Sequence, residues 1–550
     1  MARKNTTSRD GDDPARGTRP SRDAAPAARQ SIAAPGRQPW TAYLLLSILL
    51  ASGLFAWARH RYEFDDAFIS YRYAHNLSSG HGLVFNPGER VEGYSNLLWI
   101  VILTVGARVG LPPPFLAPAL GVVSYLVILL VSWYVMWNGI RHWRLSQRIC
   151  GTVLLFALVL THGLASAAGS GLETTFFAAL VLLALVTWAM MDRRPSLLRP
   201  VTAALLSLLI LTRPDGIIPA GCILALDCLR ATLRGRGVLA GCRTTFAVAW
   251  LPGATLLLHG AWRLLYYRSW FPNTYFAKGA DSPHYAAGLA YLWAFVASYP
   301  VLVLLLAAAV YSVLRSREFT PGTWYVVSAS AVSLLYSVYL VRVGGDFMDF
   351  RLGWHFLPAL VLAGIIGFVD IAPVGLASGC AMAVIILGLC LAPVRLEMEY
   401  YMQSLDEMRR YVDDGTAVGR ALRELPRDTT IATTLIGTVG YYSGLRIVDQ
   451  WGLVDPDVRS RPARDRFVRG HVKFTPAVEA LKTGADLYFE HPDLCPCDRG
   501  SLRTDHEVAM RLEDGGCVRA LVISARDTFR EAICADRAKF PVIGGEVCGS

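Results

Sequence analysis

The stretch Arg61–Trp99, RYEFDDAFISYRYAHNLSSGHGLVFNPGERVEGYSNLLW, decides how the rest of the chain is read. It follows the first long apolar run and precedes nearly all the others. It holds two adjacent carboxylates, Asp65 and Asp66, and an amphipathic run, Phe68–Leu77, with Arg72 and His75 set among aromatics. A glycine-rich turn (Gly80, Gly82) and an acidic, Asn-bearing segment (Glu89, Glu92, Asn96) complete it. Polar connections of this length between apolar runs are usually functional or disordered. This one is too rich in aromatic and aliphatic residues to be a disordered linker. It is expected to carry a site at the membrane surface.

The chain around it has 550 residues, 53% hydrophobic and 17% charged, with mean hydropathy +0.38. Soluble domains carry about 25% charged residues, so the composition is that of a polytopic membrane protein. The net charge of +10 lies largely in the N-terminal tail and in short arginine loops between apolar runs. Positive-inside bias accounts for it, and no nucleic-acid partner is expected. Residues 1–39, rich in Ala, Arg, Pro, Ser and Asp, read as a disordered cytoplasmic tail.

Eleven apolar runs are expected to cross: 40–58, 116–138, 149–166, 172–191, 199–213, 216–230, 244–262, 299–315, 322–341, 354–370 and 374–393. The run 97–110 is placed along the interface, because only then do all four arginine clusters face the cytoplasm: Arg141/144/148, Arg193/194/199, Arg230/234/236/243 and Arg315/317. Residues 285–298 read as a second interfacial or re-entrant helix. Residues 40–396 form the membrane domain in this reading. An odd number of crossings then puts residues 397–550 outside, where strand-like runs (430–435, 446–448, 486–489, 518–523) alternate with helical stretches. The fold class is a polytopic α-helical membrane protein with a C-terminal extracytoplasmic α/β domain. Cys495, Cys497, Cys517, Cys534 and Cys548 crowd its end, enough for two disulfides and one leftover thiol.

Five polar motifs fall on the outer face in this topology: Asp65/Asp66, SGLET (170–174), TRPDG (212–216), WFPNTYFAK (270–278) and GGDFMDFR (344–351). An enzyme wrapped in this many helices is suited to a lipid-linked substrate, whose tail lies between helices while its head group reaches the surface. Sugar transfer from a polyprenyl phosphate needs a carboxylate for the acceptor hydroxyl, cations for the departing phosphate, and polar and aromatic groups for the sugars. Asp65 and Asp66 are the candidate catalytic carboxylates; side by side they raise one another's pKa or share a divalent cation such as Mg2+, Mn2+ or Ca2+. Asp65 as a helix cap is the alternative. Arg213, Lys278, Arg342 and Arg351 are candidate phosphate holders, with a simple Arg213–Asp215 pair as the alternative for the first. Arg72, Glu173, Asp215, Asn273, Tyr275, Asp346 and Asp449 are candidate sugar-binding residues. Glu173 is equally placed to cap a helix.

The ordered series FDDAFISYRYAHNL…GHGLVFNPGERVEGYSNLLW, SGLETT, TRPDG, FPNTYFAK, GGDFMDFR and DQWGLVDP, spread over residues 40–460, resembles the bacterial GT-C glycosyltransferases. Within them it is similar to mycobacterial terminal arabinofuranosyltransferase-like proteins and to related chains labelled flagellar motor control proteins. The resemblance implies an essential aspartate in the first outer loop, with Asp65 first and Asp66 second in line. It implies a polyprenyl-phosphate sugar donor, a cell-envelope glycan acceptor, and an outer domain whose Asp449–Asp455 stretch faces sugar. A non-enzymatic regulator of an envelope machine such as the flagellar motor is the alternative function. A transporter fits less well, since neither inverted repeats nor facing mid-membrane charges are evident.

Overall fold

The computed structural model describes residues 40–140, 143–371, 405–463, 470, 472–498, 500, 502–524 and 526–548. The tail, Arg141 and the expected 374–393 crossing lie outside the described residues.

Helix α1 (Trp40–His60) leads into the loop, where α2 (Asp65–Ser78) and α3 (Leu97–Arg108) form. Then come α4 (Pro113–Tyr134), α5 (Leu145–Leu160), α6 (His162–Gly169), α7 (Thr174–Ala189), α8 (Pro195–Thr212), α9 (Ile217–Ala231) and α10 (Gly237–Tyr267). They are followed by α11 (Asn273–Ala277), α12 (Tyr285–Ser298), α13 (Val301–Arg315), α14 (Pro321–Val343), α15 (Arg351–Trp354) and α16 (Leu357–Ile371). Proline opens several of them, where its missing N–H costs nothing: Pro113 in α4, Pro195 in α8 and Pro321 in α14. At α14 the Thr320 side chain also caps the Thr323 N–H at 3.2 Å, and Gly344 in the left-handed region (φ 87°) ends the helix.

Every expected crossing within the described residues contains a helix. Among the described residues five helices or helix runs are long and apolar enough to cross: Trp40–His60, Pro113–Gly139, Pro195–Thr212, Pro214–Gly235 and Pro321–Val343. Counting α5 with α6 and α12 with α13 as single bent spans gives up to seven. The eleven expected are therefore not all matched by length. The 15- and 16-residue α16 and α7 are short for a ~30 Å hydrocarbon core at ~1.5 Å per residue. The 12-residue α3 is shorter still, as the interfacial reading requires, and α12 meets α13 at a 91° bend. Arg193 donates to the Gly139 carbonyl at 2.9 Å, and Arg230 and Arg234 both pair with Asp192. Three of the arginine-bearing connections thus lie together. Small residues allow close helix contact: a Cβ on Gly364 of α16 would lie 2.4 Å from Leu305 Cβ of α13.

The C-terminal part contains α17 (Leu405–Leu422), β1 (Thr430–Thr433), α18 (Ile436–Ser443), β2 (Arg446–Asp449), α19 (Ala477–Lys482), β3 (Leu487–Cys495), β4 (Glu507–Arg511), β5 (Cys517–Val522), α20 (Asp527–Ala535) and β6 (Val542–Ile543). The sheet order is β2-β1-β3-β5-β4-β6. β1 pairs in parallel with β2 and β3, and β5 and β4 continue antiparallel. All four expected strands are present; β4 and β6 escaped the sequence pattern. Two disulfides, Cys497–Cys517 and Cys534–Cys548, staple this end, and Cys495 is in neither.

The loop and the C-terminal sheet share one hydrophobic core. Phe64, Phe68, Tyr73, Phe85, Tyr94 and Trp99 of the loop pack in the same cluster as Val418, Ile431, Val439, Ile447 and Leu487. The helical part has its own, larger core.

Candidate active site

Helix α2 presents two faces. Asp65, Phe68 and Arg72, spaced i, i+3 and i+7, share one. The Asp65 carboxylate accepts from Gly437 N–H at 2.9 Å, Thr438 N–H at 2.7 Å and Thr438 Oγ1 at 2.6 Å. These are the first-turn donors of α18, whose own N-cap, Leu435, has no side-chain oxygen to offer. Asp65 therefore caps a helix, though one 372 positions away rather than its own. Burial lifts its carboxyl to about 6 against the pull of those hydrogen bonds, with neighbouring Asp66 adding to the rise. Arg72 is buried and donates to Phe85 O (2.8 Å), Gly440 O (2.6 Å) and Leu445 O (2.6 Å). Both first-face charges, expected at the active site, hold the loop to the C-terminal part.

Asp66 lies on the other side, about 100° round the helix. It has no hydrogen-bond or ion-pair partner among the described residues. One turn on, Ser70 and Asn96 exchange hydrogen bonds, and Asn96 Nδ2 donates to Glu173 Oε2 at 2.8 Å. Glu173 Oε1 accepts from Arg213 Nη1 at 2.5 Å, and Arg213 Nε donates to Asp215 Oδ1 at 2.9 Å. The Tyr336 hydroxyl donates to Asp215 Oδ2 and sits 2.8 Å from His355 Nδ1. Arg213 is thus held by two carboxylates, so the simple pairing reading is realised and extended.

Lys278 and Arg351 complete the group. Both are half-buried, and neither has an ion pair among the described residues. Arg351 Nε is fully buried with no acceptor among the described residues. The charges of Arg351, Asp66, Arg213 and Asp346 all act on Lys278, whose ammonium is held below its usual range first by burial and then by the two arginines. Asp346 accepts from Met348 N–H (3.1 Å) and Leu352 N–H (2.8 Å), fixing the loop that carries Arg351. That loop places Asp349 (φ 39°) and Phe350 (φ 57°) in the left-handed region, costly for side-chain-bearing residues. Each of the five polar motifs contributes at least one charge to this cluster.

A domain family of unknown function, DUF8728, matches residues 400–510. A terminal β-(1→2)-arabinofuranosyltransferase of Mycobacterium tuberculosis is 28% identical over 347 residues, covering 56% of this chain and 53% of that protein. Its Corynebacterium glutamicum counterpart is 28% identical over 360 residues, covering 56% and 49%. The chain resembles the terminal arabinofuranosyltransferases. It spans about half the length of these curated relatives. Two structures of ArnT from Cupriavidus metallidurans also align over 88% of the chain. The apo form has 14% identity and a TM-score of 0.48 over 100% of its own length. The form bound to undecaprenyl phosphate has 13% identity and 0.49 over 99%. The enzymatic names of the curated relatives do not favour the motor-regulator alternative.

In this arabinofuranosyltransferase-like chain, other candidates lie away from the cluster. Asn273 Nδ2 donates to the carbonyls of Gly452 (2.9 Å), Leu453 (3.1 Å) and Asp455 (2.7 Å), tying the 270–278 motif to the DQWGLVDP turn. Asp449 is buried and accepts from Trp451 and Val454 N–H; burial raises its carboxyl to about 7. Both organise the turn from within. Arg342 is exposed and donates to the Ala280 carbonyl at 3.4 Å. Tyr275 stacks on Phe271 with ring centroids 4.7 Å apart. Trp270 is exposed, as an interfacial belt residue would be, whereas Trp354 is buried against Phe295 and Tyr299. Ser70, Asn96, Tyr336 and His355 belong to the cluster but were not among the expected site residues. The i+4 spacing from Asp66 points to Ser70; no sequence signal singles out Tyr336 within its apolar helix. A cavity of about 380 Å³ opens on the Asp65 side of α2, between Glu63 and Phe68 of the loop and Asp413 and Arg420 of α17. Asp66, Lys278 and Arg351 do not line it.

Proposed function

We propose that this protein transfers a sugar, arabinofuranose or a close relative, from a polyprenyl-phosphate donor to a cell-envelope glycan acceptor. The observation that carries the reading is Arg351. A buried guanidinium N–H without an acceptor costs about 1–3 kcal/mol, which an oxygen of the donor phosphate relieves. An entering anion opposes the burial and the arginine charges that hold the Lys278 ammonium below its usual range. Together Arg351 and Lys278 hold the phosphate as the anomeric C–O bond breaks and negative charge builds on the leaving oxygen. Asp66 takes the proton from the acceptor hydroxyl as the new glycosidic C–O bond forms. Arg213, already neutralised by Glu173 and Asp215, fixes the floor of the site rather than holding phosphate. We retain Glu173, Asp215 and Asp346 as sugar-side residues in this reading; their carboxylates bond within the protein.

A divalent cation does not fit this group. Asp65 spends its oxygens on N–H and O–H donors, and the Lys278 ammonium acts on Asp66. Among the described residues no set of three or more Asp, Glu, His or Cys is arranged to hold a metal ion. No step is therefore routed through one.

In this reading the site lies on the extracytoplasmic face of the inner membrane, with the N-terminus cytoplasmic and residues 397–550 outside. Three arginine-bearing connections that lie together and two disulfides in the C-terminal part support that orientation. The test is transfer by purified, reconstituted protein given decaprenyl-phosphate-linked arabinofuranose and an arabinan oligosaccharide. Wild type is expected to transfer sugar and Lys278→Ala to lose most of that rate. Equal rates would remove the phosphate-holding role.

A further inference from the structure

Helices α9 and α10 are joined by a tight turn through Gly235 (φ 74°) and Gly237 (φ 72°), and they run back along one another. Just inside the turn, Cys228 Sγ of α9 and Cys242 Sγ of α10 lie 3.7 Å apart. The approach is enforced locally: a Cβ on Gly241 would lie 3.2 Å from the Cys228 carbonyl oxygen. Cys242 is exposed and Cys228 half-buried. Neither sulfur belongs to the charged cluster or to either disulfide.

We propose that Cys228 and Cys242 are a reversible redox pair that closes into a disulfide across this hairpin. The sulfurs need to approach by less than ~2 Å to reach bonding distance, within reach of side-chain rotation and a small shift at the glycine turn. With a low-molecular-weight disulfide such as oxidised glutathione, the exposed Cys242 thiolate attacks first. A mixed disulfide forms and one glutathione thiolate leaves. The Cys228 thiolate then attacks the Cys242 sulfur and expels the second glutathione. Two protein thiols are oxidised and one glutathione disulfide is reduced to two thiols. The bond would clamp the far end of α9, the helix that starts two residues after Asp215.

The experiment counts maleimide labels by intact mass on full-length protein in detergent, before and after oxidised glutathione. The expected result is a loss of two labels on oxidation, restored by dithiothreitol. Cys228→Ser and Cys242→Ser should each abolish that loss. A variant with Cys150, Cys222, Cys380, Cys390 and Cys495 changed to Ser should retain it. Unchanged labelling in wild type, or a two-label loss persisting in either single variant, overturns the proposal.

Discussion

The Asp65 carboxylate and the Gly437 backbone N–H meet at 2.9 Å, joining the start of α2 to the start of α18. A Cβ on Gly437 would lie 1.9 Å from the Asp65 carbonyl oxygen, so the two chains touch with no room for a side chain. Asp65→Asn keeps the shape but turns an amide N–H toward donors. It is expected to destabilise the protein by about 1–3 kcal/mol, seen as a lower melting temperature. Asp66→Asn should leave melting unchanged. The opposite order would show that the two aspartates have been assigned the wrong faces.

Arg213 and Glu173 make the opposite kind of prediction from Lys278 and Arg351. Removing one member of a buried charge group strands the others, at about 3–5 kcal/mol. Arg213→Met should therefore yield little folded protein, recovered in part by a second change, Glu173→Gln. Arg351→Met should fold normally and lose transfer about 10- to 100-fold, the worth of one charge-assisted contact to the leaving phosphate. Arg342→Met, at an exposed position outside the cluster, should keep wild-type rates.

Stability should depend on pH in a stated direction. Burial raises the carboxyls of Asp65 to about 6 and of Glu63, Glu92 and Asp449 to about 7. A raised folded-state pKa means the folded protein binds protons more tightly than the unfolded chain. That contribution is complete below about pH 4 and is lost as pH rises through 6 to 7. Melting followed by circular dichroism should show the C-terminal part more stable at pH 5.5 than at pH 8. Asp449→Asn should flatten the slope. A steeper stability gain toward pH 8 would contradict the burial assignment.

Asn273 donates to three carbonyls of the DQWGLVDP turn through one amide nitrogen. Asn273→Ala should loosen this joint by about 1–3 kcal/mol and open residues 449–460 to protease, without touching the charged cluster. Protection equal to wild type would show that the turn holds itself.

The helical run of the chain was legible because apolar length is a strong one-dimensional signal. So was the convergence of five motifs, since each breaks an apolar run on the same side of the expected topology. What the sequence hid was direction. Asp65 and Asp66 are chemically identical neighbours, and only the helix phase separates them. The i+7 spacing to Arg72 carried that phase, but its meaning depends on knowing that α18 lies against the loop. The backbone ties of Asn273 and Asp449 were hidden for the same reason. A polar residue in an aromatic-rich turn looks alike whether it faces a ligand or ties down backbone. The shared core of loop and C-terminal part was likewise invisible, because its halves are separated by over 300 positions.

The account turns on Asp66. Single-turnover transfer from decaprenyl-phosphate-linked arabinofuranose, measured for Asp66→Asn protein with wild-type melting, should fall by at least about 10²-fold, as expected for loss of a proton acceptor. Transfer at the wild-type rate by that folded variant would contradict the account.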